Sequence, residues 1–176
     1  KGSGDGGFVP VKLDLGAPDA PAACVEQSAE QLGGLDVLIN NAGTAVSASL
    51  EETTLSQWNR QLHLNATVPF LLSQEALPYL KQSDRASIIN VGSVVSHKGY
   101  VGQAGYTASK HAVFGLTKVL ARELQGSGAE DDLGNGEFSQ MEKDFAFHGY
   151  PISCRFRGDK AELPAAEGRF RMLGCG

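Results

Sequence analysis

Tyr106 and Lys110 stand four residues apart in the run Tyr106-Thr107-Ala108-Ser109-Lys110. On a helix this spacing puts the phenol and the ammonium on one face, about one turn apart. A phenol alone is a poor base at neutral pH, because its reference pKa is about 10. An ammonium roughly 5 Å away favours the phenolate by about 3 kcal/mol at an effective dielectric of about 20. That brings a phenol towards the working range of a general acid/base, and a helix N-terminus acts in the same sense. Alone, such a spacing more often marks a surface tyrosine and lysine on an amphipathic helix. Ser93 stands thirteen residues upstream of Tyr106. Its hydroxyl suits donation to an oxygen that gains charge during a reaction, although a lone serine at a strand end is more often a turn residue.

These side chains need elements to hold them. Ile88, Ile89 and Val91 form a β-branched run ending in Gly92-Ser93, which predicts a buried strand over 86–91 that delivers Ser93 to its tip. Glycines 99, 102 and 105 punctuate the loop that follows. From Tyr106 a helix is expected to about residue 125, with Val113, Leu116 and Leu120 at helical spacing. Upstream, Phe8 to Leu15 reads as a short apolar strand closed by Asp14. Asp19-Ala20-Pro21 opens a helix that ends at Gly33-Gly34. Leu35 to Ile39 is nearly all apolar, as expected for a parallel strand covered on both faces. It ends in Asn40-Asn41-Ala42-Gly43, at the place where open α/β sheets bind ligands. Small residues there let a ligand approach the backbone, and the amides supply donors and acceptors.

Thr54-Leu55-Ser56-Gln57 is a capping-box pattern, opening a long helix to about Lys81. Pro69 falls inside it. Proline lacks an N–H, so the carbonyl of Asn65, four residues back, loses its helical partner and is free to hold water. Asn65 also reads simply as the residue that satisfies a proline kink.

The order and spacing of Asn40-Asn41-Ala42-Gly43, Ser93 and Tyr106-x-x-x-Lys110 resemble the short-chain dehydrogenases/reductases over roughly residues 8–125. The resemblance implies a hydride transfer between NAD or NADP and a secondary alcohol or ketone. It implies Asn65, Ser93, Tyr106 and Lys110 as the catalytic set. Tyr106 would move the proton, Lys110 would support it and hold the nicotinamide ribose, Ser93 would orient the substrate, and the Asn65 main chain would hold a relay water. It implies Asp14, Leu15, Asn41, Ala42, Gly43, Tyr106 and Lys110 as cofactor contacts. Asp14 would bond the adenine, although it also reads as an ordinary strand-end residue capping the next helix. It further implies homo-oligomerisation through helices 54–81 and 105–125.

The expected fold is α/β: a partial Rossmann-like parallel sheet with flanking helices, lacking the family's first two strands and its usual sixth strand. No glycine-rich phosphate-binding turn opens a helix here, because Gly2-Ser3-Gly4-Asp5-Gly6-Gly7 precedes a strand candidate. The division is a partial dinucleotide-binding domain over 1–125 and a divergent, poorly structured tail over 126–176. The composition changes abruptly near residue 126, as if unrelated sequence had been joined to a family core. In the tail only Pro151 to Arg157 alternates, reading as one edge strand. Without the family's first strand, either segment 8–15 pairs beside strand 35–39 or the sheet has a gap, leaving 35–39 an apolar edge liable to aggregate. A truncated, non-catalytic relative that acts by pairing with a full-length partner is the second reading. A binding module using the Asn40 loop alone is the third.

Composition agrees with one globular domain: 176 residues, 41% of them hydrophobic. A net charge of -5 argues against nucleic acid as a partner. No run approaches the roughly 18 apolar residues of a membrane span. Cys24, Cys154 and Cys175 are odd in number and lack metal-type spacing, which suits a reduced, cytoplasmic setting. The histidines are scattered singly, so no metal site is expected.

Overall fold

The computed structural model describes residues 8–83, 85–124, 151–155 and 171–175. The order is α1 (Ala20–Leu32), β1 (Val37–Asn40), α2 (Leu55–Leu62), a π-helical stretch (His63–Thr67), α3 (Val68–Leu80), β2 (Ser87–Val91), a 3-10 turn (Val94–Ser96), α4 (Ala104–Glu123), β3 (Pro151–Arg155) and β4 (Met172–Cys175). The readings of residues 1–7, 126–150 and 156–170 lie outside the described residues.

The expected α/β architecture is present. β1 and β2 run parallel, with Val37 opposite Ser87 and Asn40 opposite Asn90. Parallel pairing brings their carboxyl ends, and so the Asn41–Gly43 loop and Ser93, to one end of the sheet. Helix α3 packs on β1 and β2, α1 packs on α3, and α4 lies against β2 and β3. Val25, Leu35, Leu38, Leu72, Leu80 and Ile88 are fully buried in one core, each contributing about 1.5–3 kcal/mol by burial. Helix α1 ends where expected, at Gly33 with φ 71°, a left-handed conformation that glycine adopts without strain.

Two expectations are corrected. Residues 8–15 form no strand. Phe8, Val9 and Leu13 are exposed, and the segment closes in a turn in which the Ala17 N–H bonds to the Asp14 carbonyl. Neither the predicted pairing of 8–15 beside β1 nor a gap occurs, because β4 fills that place. The four-stranded order is β3-β2-β1-β4, with β4 parallel to β1 and β3 antiparallel to β2. The apolar edge of β1 is therefore covered. Backbone polar groups along a buried strand need partners, and Met172 to Cys175 supply them. The expected edge strand in the tail is β3.

A latch holds β4 in place. The backbone N–H, Nε and Nη2 of Arg171 all donate to the Asp36 carboxylate (2.9, 3.2 and 2.8 Å), and its Nη1 donates to the Gly33 carbonyl (2.6 Å).

The long helix predicted from Thr54 is continuous but not uniform. Its capping box is formed, with Gln57 N–H on Thr54 Oγ1 and Thr54 N–H on Gln57 Oε1. Just before Pro69 the chain widens into the π stretch, where the Val68 N–H reaches back five residues to the His63 carbonyl. Proline cannot continue the i to i+4 ladder, and a π turn is one way to pass the missing donor.

Candidate active site

Helix α4 opens at Ala104, two residues before Tyr106. Tyr106 is half-buried in its first turn and Lys110 is buried one turn on. Lys110 Nζ donates to the Val91 carbonyl at the end of β2 (2.7 Å) and lies 5.8 Å from the centre of the Tyr106 ring. The ammonium thus pins α4 to the strand that leads to Ser93. Burial pushes the Lys110 pKa below the ordinary lysine value.

Ser93 caps the 3-10 turn. Its Oγ accepts from the Val95 N–H (3.4 Å) and its own N–H donates to Ser96 Oγ (3.1 Å). The acceptor role in the cap leaves the Ser93 hydroxyl proton for a donor role.

Asn65 lies within the π stretch and is buried. Its Oδ1 accepts from the Thr44 N–H (2.7 Å), and its Nδ2 donates to the Thr44 carbonyl (2.8 Å) and to Ser109 Oγ (2.9 Å). Ser109 Oγ in turn donates to the Tyr106 carbonyl (2.7 Å). The Asn65 side chain therefore ties the loop after β1 to the first turns of α4. Gly43 sits against it: a Cβ there would lie 3.1 Å from Asn65 Oδ1.

Asn41 is exposed at the carboxyl end of β1, while Ala42 is half-buried against the core. Asp14 and Leu15 lie in the turn that precedes α1. Asp14 Oδ1 accepts from the Gly16 N–H (3.0 Å), and Leu15 packs on the core. Their segment meets the π stretch through His63 Nε2, which bonds to the Gly16 carbonyl (3.1 Å).

Sequence reasoning missed the buried polar chain beneath the site. Asn40 Nδ2 donates to Asn90 Oδ1 (2.8 Å) and Asn90 Nδ2 to Thr117 Oγ1 (2.8 Å), linking β1, β2 and α4. Two asparagines at or next to the ends of two adjacent parallel strands were the available signal. Among the described residues no group of three or more His, Cys, Asp or Glu side chains is placed to hold a metal, and no helix is long and apolar enough to cross a membrane.

A nucleoside's hydroxyls would need amides and an ammonium as partners, and both are present at this end of the sheet. A Cβ at Gly43 would press on Asn65 Oδ1, Asn41 is presented outward, and the buried Lys110 ammonium stands beside the phenol. Among the described residues, no glycine-rich turn opens a helix towards this end of the sheet.

A protein-family model described as short chain dehydrogenase matches residues 2–130. A 3-alpha-(or 20-beta)-hydroxysteroid dehydrogenase of Mycobacterium tuberculosis is 42% identical over 118 residues, covering 67% of this chain and 45% of the relative. A 3-oxoacyl-[acyl-carrier-protein] reductase, FabG, of Vibrio cholerae is 36% identical over 118 residues, covering 67% and 48%. Among solved structures, acetoin dehydrogenase YohF from Salmonella typhimurium superposes with a TM-score of 0.61 at 34% identity, covering 65% of this chain and 46% of that one. The aldohexose dehydrogenase of Thermoplasma acidophilum gives 0.63 at 31%, covering 68% and 47%. The chain spans about half the length of the curated relatives it matches. Two parallel central strands whose carboxyl ends carry Asn41 to Gly43 and Ser93 beside the Tyr106–Lys110 helix, in a chain that the family model matches over most of its length, make this chain a member of the short chain dehydrogenase family.

Proposed function

We propose that the site interconverts a secondary alcohol and a ketone with NAD or NADP. The carrying observation is the buried Lys110 ammonium, fixed to the Val91 carbonyl and 5.8 Å from the Tyr106 ring centre. In the oxidative direction Tyr106 takes the proton of the substrate hydroxyl; in the reductive direction it returns it to the carbonyl oxygen. Ser93 donates its free proton to that same oxygen, which carries charge at the transition state. The main chain at Asn65 holds a water that reconnects Lys110 with solvent. Asn41, Ala42, Gly43 and Lys110 bind the cofactor's riboses, and Asp14 and Leu15 its adenine. When bound, the nicotinamide accepts or supplies the hydride. The setting is cytoplasmic, with Cys24 buried in the core.

Fluorescence titration of the chain with NADH and with NADPH tests the reading. Saturable binding, together with turnover of simple ketones that Tyr106→Phe reduces at least about 1000-fold, is the expected result. Absence of binding to either dinucleotide overturns it in favour of a non-catalytic relative.

A further inference from the structure

Gln61 belongs to the buried polar side chains that the reaction scheme does not use. It is 1% exposed, on the face of α2 that meets α4. Its Oε1 accepts from the Val46 N–H (2.9 Å) and its Nε2 donates to the Gln57 carbonyl (3.3 Å). Opposite it stands Gly105, the residue before Tyr106. A Cβ on Gly105 would lie 2.5 Å from Gln61 Nε2 and 3.6 Å from the Trp58 Cα. The glycine leaves the space that the amide fills.

Gln61 and Asn65 are one turn apart, and each meets a residue of α4 one turn apart from the other: Gly105 and Ser109. Each also holds the same loop, at Val46 and at Thr44. The spacing matches. Four residues of helix rise about 6 Å, and two residues of extended chain rise about 6.6 Å. A third rung follows at Ala48, whose N–H donates to the Gly102 carbonyl (3.0 Å), just before α4. The loop from Thr44 to Ala48 is thus bonded at every second N–H. Tyr106 and Lys110 each sit one residue beyond the α4 positions that these amides touch.

We propose that Gln61 is a positioning residue for Tyr106, setting the height of the first turn of α4 against the Thr44–Ala48 loop as Asn65 does one turn further along. The assignment rests on the oxidoreductase reading for its consequence in turnover, but its structural half is separable. A buried amide that bonds a backbone N–H costs more to replace by an apolar side chain than by another acceptor, because the Val46 N–H is left without a partner. A displaced acid/base group lowers the chemical step more than cofactor binding.

The test compares Gln61→Leu, which removes the acceptor, with Gln61→Glu, which as the neutral acid that burial favours keeps the acceptor and a donor for the Gln57 carbonyl, in the full chain. Turnover is measured across pH, and amide hydrogen exchange is followed at Val46 and at Thr107, whose N–H bonds to the Gln103 carbonyl in the opening turn of α4. Gln61→Leu is expected to lower kcat about tenfold with the cofactor KM unchanged, to shift the pH dependence of kcat, and to speed exchange at both amides. Gln61→Glu is expected to recover at least half of kcat and the original exchange at Thr107. If Gln61→Leu leaves kcat, its pH profile and Thr107 exchange as in the parent, the proposal is overturned. If Gln61→Leu does not fold, Gln61→Glu decides: a parental pH profile and parental Thr107 exchange support the proposal, and a tenfold loss of kcat in a folded protein overturns it. If the parent chain turns nothing over, the oxidoreductase reading fails by itself. Thr107 exchange then decides the positioning role: acceleration in Gln61→Leu that Gln61→Glu restores supports it, and identical exchange overturns it.

Discussion

At the scale of the residue, the Asp36 carboxylate is a buried charge at the opposite end of β1 from the site. It is 2% exposed. Burial raises its pKa, but the hydrogen bonds from Arg171 and Ser83, with the Arg171 charge, outweigh burial and lower it from 3.8 to about 2. Because the folded-state value is depressed, the carboxylate contributes stability that is complete above about 4 and is lost as pH falls towards 2. The contribution is of order 2 kcal/mol. Asp36→Asn removes it, so the stability gap between parent and variant in denaturant titrations should close as pH is lowered from 5 to about 2. A gap that stays constant over this range would exclude the linkage. Lys110 has the opposite chemistry with the same sign of slope. Its depressed value means that the folded state holds the proton less tightly, so its burial penalty is relieved as pH rises towards the ordinary lysine range.

At the scale of the element, β4 is held by four backbone partners on β1, by buried Leu173 and by Arg171. Removing the guanidinium leaves the Asp36 carboxylate buried, with Ser83 Oγ (2.7 Å) as its remaining side-chain donor among the described residues. Arg171→Ala is expected to cost about 3 kcal/mol, the lower end of the range for breaking a buried pair, since Arg171 is partly exposed. The loss should appear as a lower midpoint in urea and as faster amide exchange along β1, whose edge β4 covers. Arg171→Ala combined with Asp36→Asn should regain part of it, because no uncompensated charge then remains. Equal stability of the single variant and the parent would show that the latch carries no energy. The π stretch is the other informative element. Pro69 breaks the regular ladder, and the widening falls at His63 to Thr67, where Asn65 is turned into the core to meet both Thr44 and Ser109.

At the scale of the whole molecule, helices α2, α3 and α4 present apolar side chains to solvent: Leu55 is 72% exposed, Phe70 46% and Val119 50%. We propose that these helices join copies of the chain. Sedimentation at about 20 μM should give a dimer or larger, and Phe70→Glu with Val119→Glu should give a monomer with unchanged circular dichroism. A parent chain that sediments as a monomer would remove the proposal.

The sequence alone determined what depends on neighbours along the chain. The strand that leads to Ser93, the helix that pairs Tyr106 with Lys110, the Thr54 capping box and the Gly33 stop all follow from periodicity and local hydrogen bonding, and the structure forms each of them. The same local rules misread residues 8–15, where an apolar run becomes a strand only if another strand is free to pair with it. Tertiary structure decided that competition: Met172 to Cys175 occupies the open side of β1, from more than 130 residues away in sequence. It also decided the work of the buried amides. Nothing local distinguishes Gln61 from a surface glutamine, or assigns Asn65 to Thr44 and Ser109. Those partners come from other elements, and a buried amide takes its meaning from whatever groups the fold leaves around it.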